Sequence, residues 1–235
     1  MTLEICANSY QSAKNAVKAG AHRIELCSEL SVGGITPSYG LIKKVLSEIN
    51  IETFVLIRPR SGNFCYSEVE FEIMKSDIQI CKTFSCHGIV SGVLNKDRTI
   101  DIKRTQDLIE LSKPLPFTFH RAFDLVPNTL EALETLIKLG ANRILTSGQA
   151  VKAIDGLENL KVLQKQAKNR INILVGSGVN PENVKAFRDS GFTEIHASAS
   201  TVILKETSDM FGNVQQTESN YDTIKELLKV ISDAD

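Results

Sequence analysis

The sequence predicts a (β/α)₈ TIM-type barrel, α/β in class, forming a single domain over residues 1–235. Three observations carry this. Eight short, β-branched runs alternate with segments of helical periodicity, and their starts lie roughly 20–35 residues apart, as in repeated βα units. One junction also recurs. "AGAHRIEL" (19–26), "LGANRILT" (139–146) and "SGFTEIHA" (190–197) each run from a helix end through a glycine into a strand, and "SCHGIVSG" (85–92) is a blurred copy. Finally, a chain of 235 residues is close to the barrel's usual length. An open doubly wound sheet shares the alternation but normally shows a glycine fingerprint after its first strand. Here the first strand leads into "CANSYQSA", without glycine. The glycine-rich turn follows the seventh strand instead, in "VGSGVNPENV" (175–184), where barrels often hold a phosphate.

The strands are expected near 3–7, 22–27, 52–58, 87–92, 115–120, 142–147, 171–176 and 194–198. Helix starts are marked between them. Thr36-Pro37 and Asn180-Pro181 each place a capping residue before a proline at the first helical position. Ser67 with Glu70, and Asn128 with Glu131, have capping-box spacing. Glycines such as Gly20 and Gly140 suit the left-handed backbone that closes a helix. The polar, weakly patterned segment 201–219 reads as a long loop or partly disordered stretch, and 220–232 as the final helix.

Composition narrows the function. A hydrophobic fraction of 42%, a charged fraction of 23% and a net charge of −1 are ordinary for a globular protein. They give no basic field for nucleic acid or an anionic membrane. No apolar run is long enough to span a bilayer. "MTLEICANSY" lacks the basic and apolar regions of a signal peptide. Five cysteines without regular spacing read as free thiols rather than a disulfide framework, which places the expected setting in the reducing cytoplasm.

Strand parity then selects candidate site residues. In a barrel both faces of each strand are covered, one by helices and one by the lumen. In "RIELCSEL" (23–30), Ile24 and Leu26 face the helices while Arg23, Glu25 and Cys27 face inward. Glu4 and Cys6, Arg58, Thr118 and His120, and Glu194, His196 and Ser198 follow by the same rule. Cys6, Glu25, Cys27, Arg58, His120 and His196 therefore gather at the carboxyl-end mouth, where barrels bind and catalyse. Each also has a structural reading. Glu25 and Arg58 could be a buried ion pair, His120 a satisfied core histidine, and each cysteine a small hydrophobe. The cluster favours function, because buried charges are costly and gather at sites. Two inward cysteines on neighbouring strands, spaced about 4.8 Å, could share a soft ion such as Cu(I). No cysteine or histidine set at zinc spacing is present.

At these residues the chain resembles the copper homeostasis protein CutC family. "LEICANS" (3–9), "GAHRIELCSELSVGGITPSYG" (20–40), "IRPRSGNFCYSE" (57–68), "PLPFTFHRAFD" (114–124), "RILTSGQ" (143–149) and "EIHASAS" (194–200) carry the likeness in order. The resemblance implies a barrel, a cytoplasmic location, and a link to copper tolerance or Cu(I) binding, with no organic cofactor. It places Cys6 and Cys27 as the metal cysteines. Three positions depart from the family pattern. Asn63 stands for an aspartate, Val32 for a glutamate, and Ser200 for an arginine.

Two functional expectations follow, with a regulatory binding module as a weaker third. The first is a copper-handling protein that binds Cu(I) through Cys6 and Cys27, with Cys65 near by. The second is a barrel enzyme acting on a small anionic or phosphorylated substrate. In it Glu25, Arg58, His120 and Asp124 are catalytic. Arg58 pairs with Glu25 and clamps the anion with Arg60. Asp124 or Glu25 orients His120, and Gly176, Ser177, Gly178, His196 and Ser198 bind substrate. The partner is a copper ion or small anionic ligand, not nucleic acid or membrane. The oligomeric state is left open, a homo-oligomer included.

Overall fold

Short strands rich in valine, isoleucine and leucine are stable only where both faces are covered, and barrel closure provides that. In the computed structural model, which describes residues 1–208, 210 and 212–233, eight parallel strands close in sequence order. They are β1 (Thr2–Ala7), β2 (Arg23–Leu26), β3 (Glu52–Leu56), β4 (Gly88–Ser91), β5 (Phe117–Phe119), β6 (Arg143–Thr146), β7 (Asn172–Gly176) and β8 (Glu194–Ala197). Strand β8 returns to β1, with Thr2 opposite Glu194 and Glu4 opposite His196. The helices are α1 (Tyr10–Ala19), α2 (Tyr39–Glu48), α3 (Glu68–Thr83), α4 (Ile102–Ser112), α5 (Thr129–Leu139), α6 (Leu157–Ala167), α7 (Val184–Asp189) and α8 (Tyr221–Ser232). None is long and apolar enough to cross a membrane.

Two of the four expected helix starts hold. Ser67 accepts the Glu70 N–H, and Glu70 answers from its carboxylate, a complete capping box. Asn128 caps α5 through the Glu131 N–H. The other two are displaced. Ser38, not Thr36, caps α2. Thr36 instead holds the chain after β3, its hydroxyl accepting the Arg58 N–H at 2.8 Å. Asn183, not Asn180, precedes α7, and the Asn180 side chain accepts the N–H groups of Glu182 and Asn183 in a preceding turn. Gly20 and Gly140 close α1 and α5 at φ +92° and +85°.

The segment expected as a long loop is an antiparallel hairpin, β9 (Ser200–Ser208) paired with β10 (Gly212–Ser219). Its base is tied to the barrel. Asn8 Nδ2 donates to the Thr217 carbonyl at 3.0 Å, Asn15 Nδ2 to that of Ser219 at 2.9 Å, and the Ser219 N–H to Ser12 Oγ at 3.0 Å.

The core has two layers. Outward residues such as Ile5, Ile24, Val55, Ile144 and Ile195 are fully buried under the helices, each contributing about 1.5–3 kcal/mol. The lumen is filled differently. Phe54 lies between the guanidinium groups of Arg23 and Arg143, 4.9 and 4.7 Å from its ring centre. Gly88 faces that ring, and a Cβ there would meet it at 2.5 Å.

Candidate functional site

The lumen's charged floor orients the groups above it. Glu194 accepts from Arg23 at 2.7 Å, from Arg143 at 2.6 Å and from Asn172 at 2.9 Å. Arg23 also donates to Glu4, whose other oxygen accepts from His196 Nδ1 at 2.7 Å. Burial would raise the Glu4 carboxyl, but the His196 hydrogen bond and the Arg23 charge outweigh it and hold the group down at about 2. Burial would likewise strip His196 of its proton. Its hydrogen bonds to Cys6 and Glu4 instead raise it well above the usual histidine range.

Above the floor, β1 and β2 present the thiols. Cys6 stands level with Glu25 in the ladder, so Cys27 lies two residues further along its strand. Even so, the two sulfurs are 3.5 Å apart. The Cys27 hydrogen bond, with burial next, raises the Cys6 thiol well above its usual range. Cys27 is fully buried, roofed by Gly34, where a Cβ would come 2.7 Å from Leu56 Cδ2 and 3.5 Å from Cys27 Cβ. The ligand atoms of Cys6, Glu25 and His196 all lie within 4.8 Å of one another. Glu25 is buried, and its Oε2 has no partner among the described residues. Burial raises its carboxyl to about 7, against the pull of the His196 charge.

The cluster opens into a cavity of about 370 Å³ at the carboxyl end of the strands, lined also by Arg58, His120, Asp124, Ser177, Gly178 and Ser198. Several expected roles change here. Among the described residues, Arg58 pairs with no carboxylate. Its Nη1 donates to the carbonyls of Val32 and Gly34 at 2.8 and 2.7 Å, and Nη2 to that of Gly62 at 2.9 Å. It pins the two loops over β2 and β3, because a planar guanidinium suits several carbonyls at once. Arg60 does not line the cavity. It is bound to Glu70, Asn63 and the Cys65 carbonyl, and so braces the start of α3. Cys65 is also absent from the lining.

Asp124 does not orient His120. It accepts from Thr146, Ser147 and Arg121 and fastens the turn after β5 to the end of β6. His120 Nδ1 accepts the Ala122 N–H at 3.3 Å, and Nε2 has no partner among the described residues. Burial, with the nearby Arg58 charge, lowers its imidazole to about 3, so it is neutral. Gly176 packs against Leu145 and His196. Ser198 Oγ lies 3.3 Å from Ser200 Oγ.

Parity brought Cys6, Cys27, Glu25, His120 and His196 to the lumen in sequence analysis. It also placed Glu4 there, but nothing in the sequence signalled its bond to His196, 192 positions away. Phe64, whose ring lies 4.7 Å from that of His120 and 4.8 Å from the Arg58 guanidinium, went unnoticed because it sits on a loop without periodicity.

Comparisons with known proteins agree with the barrel fold. The CutC family model matches residues 1–201. The human copper homeostasis protein cutC homolog is 47% identical over 198 residues, covering 84% of this chain and 72% of the relative. A family protein CutC of Pasteurella multocida is 44% identical over 207 residues, covering 88% and 85%. A crystal structure of a Streptococcus agalactiae protein named CutC superposes with a TM-score of 0.80 at 36% identity, over 84% of this chain and 98% of that one. Thiamine phosphate pyrophosphorylase from Pyrococcus furiosus, at 17% identity and a TM-score of 0.62, shares the barrel fold. With the ordered motifs, the closed barrel and these relatives in agreement, the chain belongs to the CutC copper homeostasis family.

Proposed function

We propose that this protein takes up Cu(I) as its cargo through Cys6 and Cys27, with His196 as a third donor and Glu25 beside them. The observation that carries the reading is the pair of buried sulfurs at 3.5 Å, with an imidazole and a carboxylate within 4.8 Å of Cys6. Soft thiolates favour Cu(I) over harder ions. A linear bridge needs sulfurs about 4.6 Å apart, twice a metal–thiolate bond of about 2.3 Å. The shorter separation favours a bent arrangement with a third donor. His196 suits that place. Its Nδ1–H is held by Glu4, as the outer nitrogen of a metal-binding histidine usually is, so Nε2 takes the ion once it gives up the proton that the raised imidazole carries.

The cysteines are free, and closely spaced thiols persist in reducing surroundings, which supports a cytoplasmic site of action. Because the Cys6 thiol is raised rather than lowered, copper must displace its proton, and uptake releases protons. Arg58, fixed on carbonyls, has no part in that step. The test is competition against a Cu(I) chelator. The double variant Cys6→Ser, Cys27→Ser is expected to lose at least about 100-fold in affinity, and Glu4→Gln about 10-fold through the misoriented histidine. Equal copper affinity in wild type and double variant would overturn the reading.

A further inference from the structure

The cavity above the thiol pair holds a second set of groups that copper binding does not use. His120 is 5% exposed, and its ring is fixed on every side. Nδ1 accepts the Ala122 N–H, and Phe64 and Phe119 flank the ring at 4.7 and 5.9 Å. A Cβ on Gly92 would come within 2.7 Å of Nδ1, so only glycine leaves room there. With Nδ1 accepting, the proton of the neutral ring sits on Nε2. That donor is buried and, among the described residues, unpartnered, an arrangement costly enough to need an explanation. Phe64 sits between this ring and the Arg58 guanidinium, so positive charge lies close by.

The loop after β7 supplies the complementary feature. Ser177 and Gly178 line the same cavity. Among the described residues, the backbone N–H groups of Gly178 and Val179, past the end of β7, donate to no protein acceptor. The turn has left-handed backbone at Ser177, φ 92°, and Gly178, φ 68°. Successive amides in such a turn form an anion-binding concavity. The exposed Lys152 runs beside it, its Cγ 3.2 Å from where a Gly178 Cβ would stand, and it makes no ion pair among the described residues. Apolar side chains, Leu30, Leu56 and Leu145, form the wall between.

We propose that this cavity binds a small organic phosphate monoester, its phosphate on the Gly178 and Val179 amides and Lys152, and a carbonyl or hydroxyl oxygen on His120 Nε2–H. The lining favours such a bifunctional ligand over a bare anion, since one end offers amides and a cation and the other a single neutral donor. The proposal does not rest on copper binding and uses none of the copper donors.

Nuclear magnetic resonance on the ¹⁵N-labelled full chain tests it, with glycerol 3-phosphate and inorganic phosphate as probes. Glycerol 3-phosphate is expected to move the amide signals of Gly178 and Val179 and the His120 ring signals along one saturation curve. Inorganic phosphate is expected to move the amides alone. Lys152→Ala, at an exposed position, is expected to weaken both probes about tenfold, and His120→Gln to weaken only the ester by a similar factor. Glycerol 3-phosphate that leaves either the turn or the imidazole unmoved at saturation overturns the proposal. So does unchanged affinity in Lys152→Ala.

Discussion

Burial decides the protonation of His120, and its effect on stability has a definite sign. Burial and the Arg58 charge lower the imidazole from 6.5 to about 3. Between those values the unfolded chain binds a proton that the folded chain does not, so stability rises with pH across that window. Below 6.5 it is lost progressively. The wild type is expected to lose on the order of 1.5 kcal/mol more than His120→Gln between pH 6.5 and 5, as measured by urea unfolding at each pH. Parallel pH profiles for the two proteins would place the ring in water instead. Arg58 is a second single-residue case. Its three carbonyl partners come from the loops after β2 and β3. Arg58→Lys keeps the charge but cannot match the fork, and is expected to lower the midpoint of thermal unfolding by several degrees, from a loss of about 1–3 kcal/mol.

Among the elements, capping signals were legible wherever the side chain met its own helix, as at Ser67 and Asn128. They misled at Thr36 and Asn180, whose side chains serve other local contacts. Asn128→Ala is expected to cost about 1 kcal/mol, whereas Asn180→Ala disturbs only the turn before α7. Chemical denaturation of the two variants compares them directly. The β9–β10 hairpin escaped sequence reading because Val202, Ile203 and Leu204 are all exposed in succession, so its strands lack the alternation that marks a half-buried sheet. Its base depends on Asn8, which donates to both the carbonyl and the hydroxyl of Thr217. With Asn8→Ala, hydrogen exchange at the β10 amides is expected to quicken about tenfold while the barrel strands stay protected. Unchanged β10 protection would show that the pairing with β9 holds the strand without the barrel's help.

For the whole molecule, the charged network through the lumen joins strands that are far apart in sequence. Glu194 binds Arg23 of β2, Arg143 of β6 and Asn172 of β7. Removing one member of a buried network leaves charges uncompensated, at a cost of about 3–5 kcal/mol. Glu194→Ala is therefore expected to unfold at much lower urea concentration than the wild type. A loss below about 1 kcal/mol would mean that water already satisfies those guanidinium groups.

What the sequence by itself determined is the barrel and its inward-facing residues. Period-two alternation sets the face of each side chain, and the repeated βα grammar sets the strand count. Hence Cys6, Glu25, Cys27, His120 and His196 could be assigned to the lumen from parity alone. Only the tertiary structure decided which of them meet. Strand stagger places Cys6 level with Glu25 yet brings its sulfur to Cys27. Barrel closure of β8 onto β1 joins His196 to Glu4. Loop paths carry Arg58 to carbonyls rather than to Glu25, and turn Arg60 toward Glu70. Facing is a local property of the backbone, fixed by its dihedral angles. Partnership depends on register, closure and loop course, which arise only when distant segments pack together.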